Sequence, residues 1–138
     1  MWDKNLRYCI FTAVYQKLFW EDESVEYFLD WSFIIENIPN KDTRPEIDLL
    51  DELYEVFLEN KANYTEQLQN HLKNWNRTFP DVRACLFTFL LEKDSLKKKS
   101  EDVSDIVSKY VRLSEDLIGG KNVGLVHAIV SKLTNTTD

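Results

Sequence analysis

Three glycines and three prolines among 138 residues leave this chain very few places at which to reverse direction sharply. A β-sandwich or barrel needs turn residues at intervals of roughly 8–12 positions. Glycine and proline supply most of the backbone angles that such turns require. Here the prolines are Pro39, Pro45 and Pro80, and all the glycines fall between Gly119 and Gly124. Helices joined by short connections need far fewer such residues, so the expected class is all-α. The length predicts one domain over residues 1–138, burying roughly two-thirds of its unfolded surface. An apolar share of 43% is enough to fill its core.

Hydrophobic periodicity divides the chain into about seven helices in two helical halves. Leu6, Cys9, Ile10, Ala13, Val14 and Leu18 form the first stripe. A second helix is expected from a cap at Ser24 to about Asn37, followed by the loop "NIPNKDTRP". A third is expected to start at Thr43 or Arg44, with Pro45 in its first turn and Ile47, Leu50, Tyr54, Phe57 and Leu58 as its apolar face. "ENKAN" is a candidate break, after which Tyr64, Leu68, Leu72 and Trp75 continue on a fourth. Thr78 and Pro80 mark the next start. From Ala84 to Leu91 every face is apolar or uncharged, which predicts a central helix buried on all sides. "SLKKKSED" reads as an exposed connection with Ser100 as a cap. The following helix carries Val103, Ile106, Val107, Tyr110 and Val111, and the last carries Val123, Val126, Ile129, Val130 and Leu133. "TNTTD" is expected to fray.

The glycine cluster sits between those last two helices, in "DLIGGKNVGL". A phosphate loop of the Walker type needs GxxxxGK[ST] after a strand, and "GGKNVG" has neither the spacing nor the strand. Gly119 and Gly120 are better placed to stop a helix. Asn122 would cap the next one, with Gly124 in its first turn. The outward amides of that turn would still favour an anion.

Little points to catalysis. His71 and His127 are the two histidines, the first expected partly exposed at the surface and the second in a helix-surface or helix-packing role, and no local catalytic or metal-ligating signature includes them. Cys9 and Cys85 lie in apolar stretches outside any CxxC pair and read as buried free thiols. No cofactor and no metal are expected. The opening "MWDKNLRYCIF" lacks the features of a secretory leader, and "ACLFTFLL" is too short to span a bilayer. The cytoplasm is the expected compartment, with no membrane partner, and the Asn-x-Thr triplets at Asn63, Asn76 and Asn135 read as chance matches.

Net charge is −7, but it is unevenly spread. Residues 1–20 balance at +2, residues 21–60 at −11 and residues 61–138 at +2. The acidity is confined to one block and both ends are mildly basic, a distribution compatible with an anionic ligand at one end. Lys97, Lys98 and Lys99 form the one basic run, either a solvated loop or a phosphate contact.

Three stretches, in order, resemble the NusB family of transcription antitermination factors. "LRYCIFTAVYQKLF" is similar to the family's first helix. "DVRACLFTFLLE" resembles its central "RAILRLALYEL", with Arg83, Ala84, Leu86, Leu90 and Glu92 in place. "LVHAIVSKL" resembles the closing "FVNGVLDKL" at Val126, Ile129, Val130, Lys132 and Leu133, and "GGKN" falls where relatives have "GGEN" or "GAED". The similarity spans nearly the whole chain.

The resemblance implies a NusB-like fold and a non-enzymatic role in ribosomal-operon transcription. Relatives bind single-stranded boxA-type RNA together with the ribosomal protein NusE, inside the transcription complex. It places the RNA-binding residues at Lys4 and Arg7, in the start of the first helix, and at Lys121, Asn122 and Leu125, in the glycine corner. Tyr15 matches a tyrosine that contacts NusE. Where relatives have further arginines this chain has Asp3 and Asn5, and Leu125 stands for a phenylalanine. Stacking a base on an aromatic ring is worth roughly 1–3 kcal/mol, which leucine cannot supply. Lys121 replaces an acidic residue and adds a charge at the corner. The alternative is a protein-interaction module on the same fold that has lost RNA binding. A further one, an accessory domain of an RNA methyltransferase, lacks the catalytic domain it would serve.

Overall fold

The computed structural model describes residues 1–23 and 27–135, and among these all regular structure is helical. Six α-helices follow in order: α1 (Lys4–Asp22), α2 (Trp31–Glu36), α3 (Ile47–Gln69), α4 (Pro80–Lys98), α5 (Val107–Leu117) and α6 (Asn122–Thr134). Single 3₁₀ turns at Trp75–Arg77 and Val103–Ile106 lead into α4 and α5. The expected Ser24 cap and the tail beyond Asn135 lie outside the described residues.

α4 is the axis of the molecule and packs against α1, α3, α5 and α6. Every residue from Ala84 to Lys93 is buried, as the all-round apolar pattern requires. Pro80 occupies the first turn, where its missing N–H costs nothing. α1 runs antiparallel to α4. Arg7 near its start meets Glu92 in the second half of α4, while Tyr15 and Phe19 lie beside Phe79 and Asp81 at the other end. Leu6, Cys9, Ile10, Ala13, Val14 and Leu18 form the buried face of α1.

α3 packs its own stripe on α4. Phe57 and Trp75 each meet the ring of Phe87 edge-on, at 5.4 and 5.5 Å, and Tyr64 donates to Asp94 Oδ2 at 2.8 Å. On the opposite side, Tyr110 of α5 stands edge-on to Phe89 at 5.3 Å. Lys93 is buried and donates to the Leu133 carbonyl at 2.9 Å, tying α4 to the end of α6. One contiguous core runs from Trp2 to Leu133.

Several expected boundaries move. α3 is one helix of 23 residues and passes through "ENKAN" without a break. Phe57 and Tyr64, seven residues apart on the same face, are both buried and hold the segment between them to α4. α3 begins at Ile47, because Thr43 is engaged elsewhere: its carbonyl and hydroxyl oxygens accept from Asn5 Nδ2, both at 2.9 Å. α2 is short, starting where Asp30 caps it through the Phe33 amide. Ser100 caps nothing, since its φ of +58° is left-handed, and Asp102 accepts from the Ser104 amide instead.

Candidate nucleic-acid interface

The start of α1 is fixed by Asp3, whose Oδ1 accepts the Leu6 amide at 2.8 Å. That carboxylate is therefore occupied as a cap and stabilises the positive end of the helix. Lys4 follows it, exposed, with Nζ 3.8 Å from Asp116 Oδ2 in the last turn of α5. An exposed pair of this length holds a side chain weakly, at roughly 0–1 kcal/mol. Lys4 is thus free to exchange Asp116 for another anion. The pair also brings the start of α1 next to the end of α5, just before the glycine corner.

Arg7 is placed differently from what the resemblance implies. It is 5% exposed, and its guanidinium is consumed inside the protein. Nε donates to Glu92 Oε1 at 2.8 Å, and Nη2 donates to Glu92 Oε2 at 3.0 Å and to the Trp2 carbonyl at 2.7 Å. Glu92, fully buried, also accepts the Trp2 amide at 3.0 Å and the Tyr110 hydroxyl at 2.8 Å. Burial works against the Arg7 charge, but the hydrogen bond and field of Glu92 outweigh it and hold the pKa above the usual arginine value. Its charge is therefore not offered to a phosphate. Arg7 lies one turn beyond Asp3 on the face that α4 covers, and a buried carboxylate there demands a cation.

Two other cations, on α5, lie near Lys4. Lys109 and Arg112 are exposed, three residues apart, and with Lys4 they line a groove of 490 Å³ between α1 and α5. Ser108 adds a hydroxyl, and Asp116 is the acid at its edge. Arg112 also borders a second hollow, of 570 Å³, with Val111, Glu115 and His127 between α5 and α6. The sequence signal for this pair was its i,i+3 spacing on the polar face of an amphipathic helix.

The glycine corner is a helix break. Gly119 and Gly120 have φ of +73° and +65°, and the amides of Ile118 and Gly119 share the Ser114 carbonyl at 2.9 and 2.8 Å. Asn122 is not the cap: α6 is entered through Lys121, and Asn122 is already the first helical residue, half-buried. Lys121 is exposed at the turn, whereas Leu125 is half-buried against the core. His127 is exposed one turn further on and His71 is half-buried at the end of α3. Lys97, Lys98 and Lys99 are exposed at the far end of α4.

Tyr15 is not part of this end. It lies 11 residues along α1 from Lys4, about 16 Å at the helical rise. Its ring stacks between Phe11 and Phe19, at 6.2 and 6.1 Å. With Phe19, Glu23, Phe79, Pro80 and Asp81 it lines a hollow of 390 Å³. Sequence reasoning singled out Tyr15 and missed Phe19 and Phe79, which are 37% and 66% exposed. Exposed aromatic rings cannot be told from core ones by periodicity alone.

Among the described residues, no group of three or more His, Cys, Asp or Glu side chains is arranged to hold a metal ion. No helix among them is long and apolar enough to cross a membrane. Cys9 and Cys85 are both buried free thiols. Compared with protein-family models, curated proteins and solved structures, the chain matches none.

Proposed function

We propose that this chain is a non-enzymatic, NusB-like RNA-binding scaffold of the cytoplasm. It would act in transcription antitermination on single-stranded boxA-type RNA, with NusE as its protein partner in the transcription complex. The observation that carries the reading is the convergence of Lys4, Lys109 and Arg112 around the α1–α5 groove, next to the corner bearing Lys121. Exposed cations grouped this way contribute through counterion release, although the overall charge is −7. In this scheme Arg7 is a positioning residue: it holds Trp2 and the first turn of α1, and hence Lys4, against α4. The aromatic hollow around Tyr15 would take NusE. With both ligands on one scaffold, the second association gains from effective concentration.

Fluorescence anisotropy with a labelled boxA-type RNA, alone and with NusE, at two salt concentrations, tests the reading. Each phosphate contact on a single strand contributes about 0.7 to the salt slope. Removing Lys4, Lys109 or Arg112 should therefore flatten it by about that amount apiece, and NusE should tighten binding. Absence of RNA binding beside a stable NusE complex would overturn the RNA assignment in favour of the interaction module. One feature favours that alternative: Tyr110, the one Phe, Tyr or Trp after Phe89, is buried, so the corner presents no such ring for a base and only the His127 imidazole is exposed near it.

A further inference from the structure

The connection between α3 and α4 forms a second basic surface, at the opposite end of α4 from Glu92 and the Lys4 groove. From Gln67 to Pro80 there is no acidic residue, although the chain has 24. Gln69, Lys73, Asn74, Asn76 and Arg77 surround a hollow of 450 Å³ floored by Leu72 and Trp75. Lys73, Asn74, Asn76 and Arg77 are exposed, and none of their side chains has a hydrogen-bond or ion-pair partner among the described residues. Phe79, two residues beyond Arg77, does not line this hollow; it borders the separate one that holds Tyr15, Glu23 and Asp81.

The backbone beneath these side chains is held firmly. Trp75 is buried with its ring edge-on to Phe87, and Arg83 lies over it with Cζ 5.2 Å from the ring centre. Arg83 Nη2 donates to the Trp75 carbonyl at 2.8 Å, while its buried Nε has no partner among the described residues. The Arg77 amide donates to the Asn74 carbonyl at 2.9 Å, and the Thr78 amide to that of Trp75 at 3.0 Å. Arg83 thus adds a third positive charge below a pre-shaped turn. The nearest acids in sequence are Glu66, exposed on α3, and Asp81, whose Oδ1 accepts the Val82 amide at 2.7 Å.

We infer that this corner is a second binding site for single-stranded nucleic acid, independent of the Lys4 groove. Lys73 and Arg77 hold successive phosphates, and the Asn74 and Asn76 amides meet base edges. Free cations beside unpaired side-chain amides offer phosphate and base-edge contacts within one hollow. An acidic peptide would satisfy the two cations but would leave the amides without use.

The test titrates the full chain with a short fluorescein-labelled oligouridine. The double variant Lys73→Ala/Arg77→Ala should weaken binding about tenfold at low salt and reduce the salt slope by about 1.4. Arg77→Lys should retain the slope. These positions are exposed, so thermal unfolding should be unchanged and serves as the control. An oligonucleotide carrying 4-thiouridine should crosslink within residues 69–79. The inference is overturned if the double variant binds with an unchanged slope, if crosslinks fall only at the α1–α5 groove, or if polyglutamate displaces the RNA as well as oligouridine does. Lys4→Ala/Lys109→Ala separates the two sites. Should it alone abolish binding, the groove stands and the corner fails; should it change nothing while the corner variant does, the reverse holds.

Discussion

Arg7 and Glu92, 85 residues apart in sequence, form a bidentate ion pair sealed inside the protein, with N–O distances of 2.8 and 3.0 Å. The pair also collects the Trp2 amide and carbonyl and the Tyr110 hydroxyl, so α1, α4 and α5 meet on one carboxylate. Removing one partner from such a site leaves the other charged and unpaired, at a cost of about 3–5 kcal/mol. Arg7→Ala should lose about that much stability in urea unfolding. Replacing both residues by apolar ones of similar volume should be far milder. A loss below about 1 kcal/mol for Arg7→Ala would show the guanidinium to be solvated, and Arg7 would return to the candidate phosphate ligands.

The three glycines should respond to substitution in opposite directions. Gly119 and Gly120 have positive φ, where a Cβ costs about 1–2 kcal/mol even though nothing stands within 4 Å of it. Gly124 lies in the first turn of α6 with ordinary helical geometry and equally open surroundings. Gly119→Ala and Gly120→Ala should each lower the melting temperature, while Gly124→Ala should raise it, by up to about 1 kcal/mol in stability. Equal effects at all three positions would contradict the left-handed corner.

Most of the helical architecture was legible because burial follows periodicity. The α1 stripe, the all-round apolar run of α4 and the glycine stop after α5 each follow from local pattern. What escaped was set by contacts distant in sequence. Asn60 and Asn63 look like a break in α3, yet the Asn60 side chain donates to the Val56 carbonyl within the helix, and Lys61 pairs with Glu21 of α1. The burial of Arg7 depends on Glu92, and nothing near position 7 announces it. Lys109 and Arg112 gain meaning only when α5 is laid against the start of α1.

Alkaline pH should destabilise the fold. Burial, helped by the charge of Asp3, pushes the Cys9 thiol up to about 12, and burial raises Cys85 as well. The hydroxyls of Tyr54, Tyr64 and Tyr110 are raised in the same way, with burial the largest cause in each. In the unfolded chain these groups lose their protons near pH 9–10, while the folded protein retains them. The folded state then binds more protons, so their contribution is complete below about pH 9 and declines as pH rises toward 12. The urea midpoint should be lower at about pH 10 than at about pH 8. Both thiols should also resist a disulfide reagent until urea unfolds the chain. Rapid modification of the native protein would place at least one thiol at the surface.

Tyr15 offers the sharpest test of the partner surface, because its two roles have separable readouts. Its ring is held between Phe11, which is buried, and Phe19, which is partly exposed. Loss of those contacts should cost about 0.5–1.5 kcal/mol of stability. If the hollow it shares with Phe19 and Phe79 takes NusE, Tyr15 sits where an interface anchor belongs, and truncating such an anchor costs at least about 2 kcal/mol of binding, near thirtyfold in Kd. Glu23 and Asp81 make the rim acidic, suited to steering a basic partner. Calorimetry with NusE should find Tyr15→Ala much weaker in affinity but still cooperatively folded. Glu23→Gln should slow association at low salt with little change in dissociation. A Tyr15→Ala protein that melts earlier yet binds NusE unchanged would make the ring a packing residue only, and the partner surface would have to be sought elsewhere on the molecule.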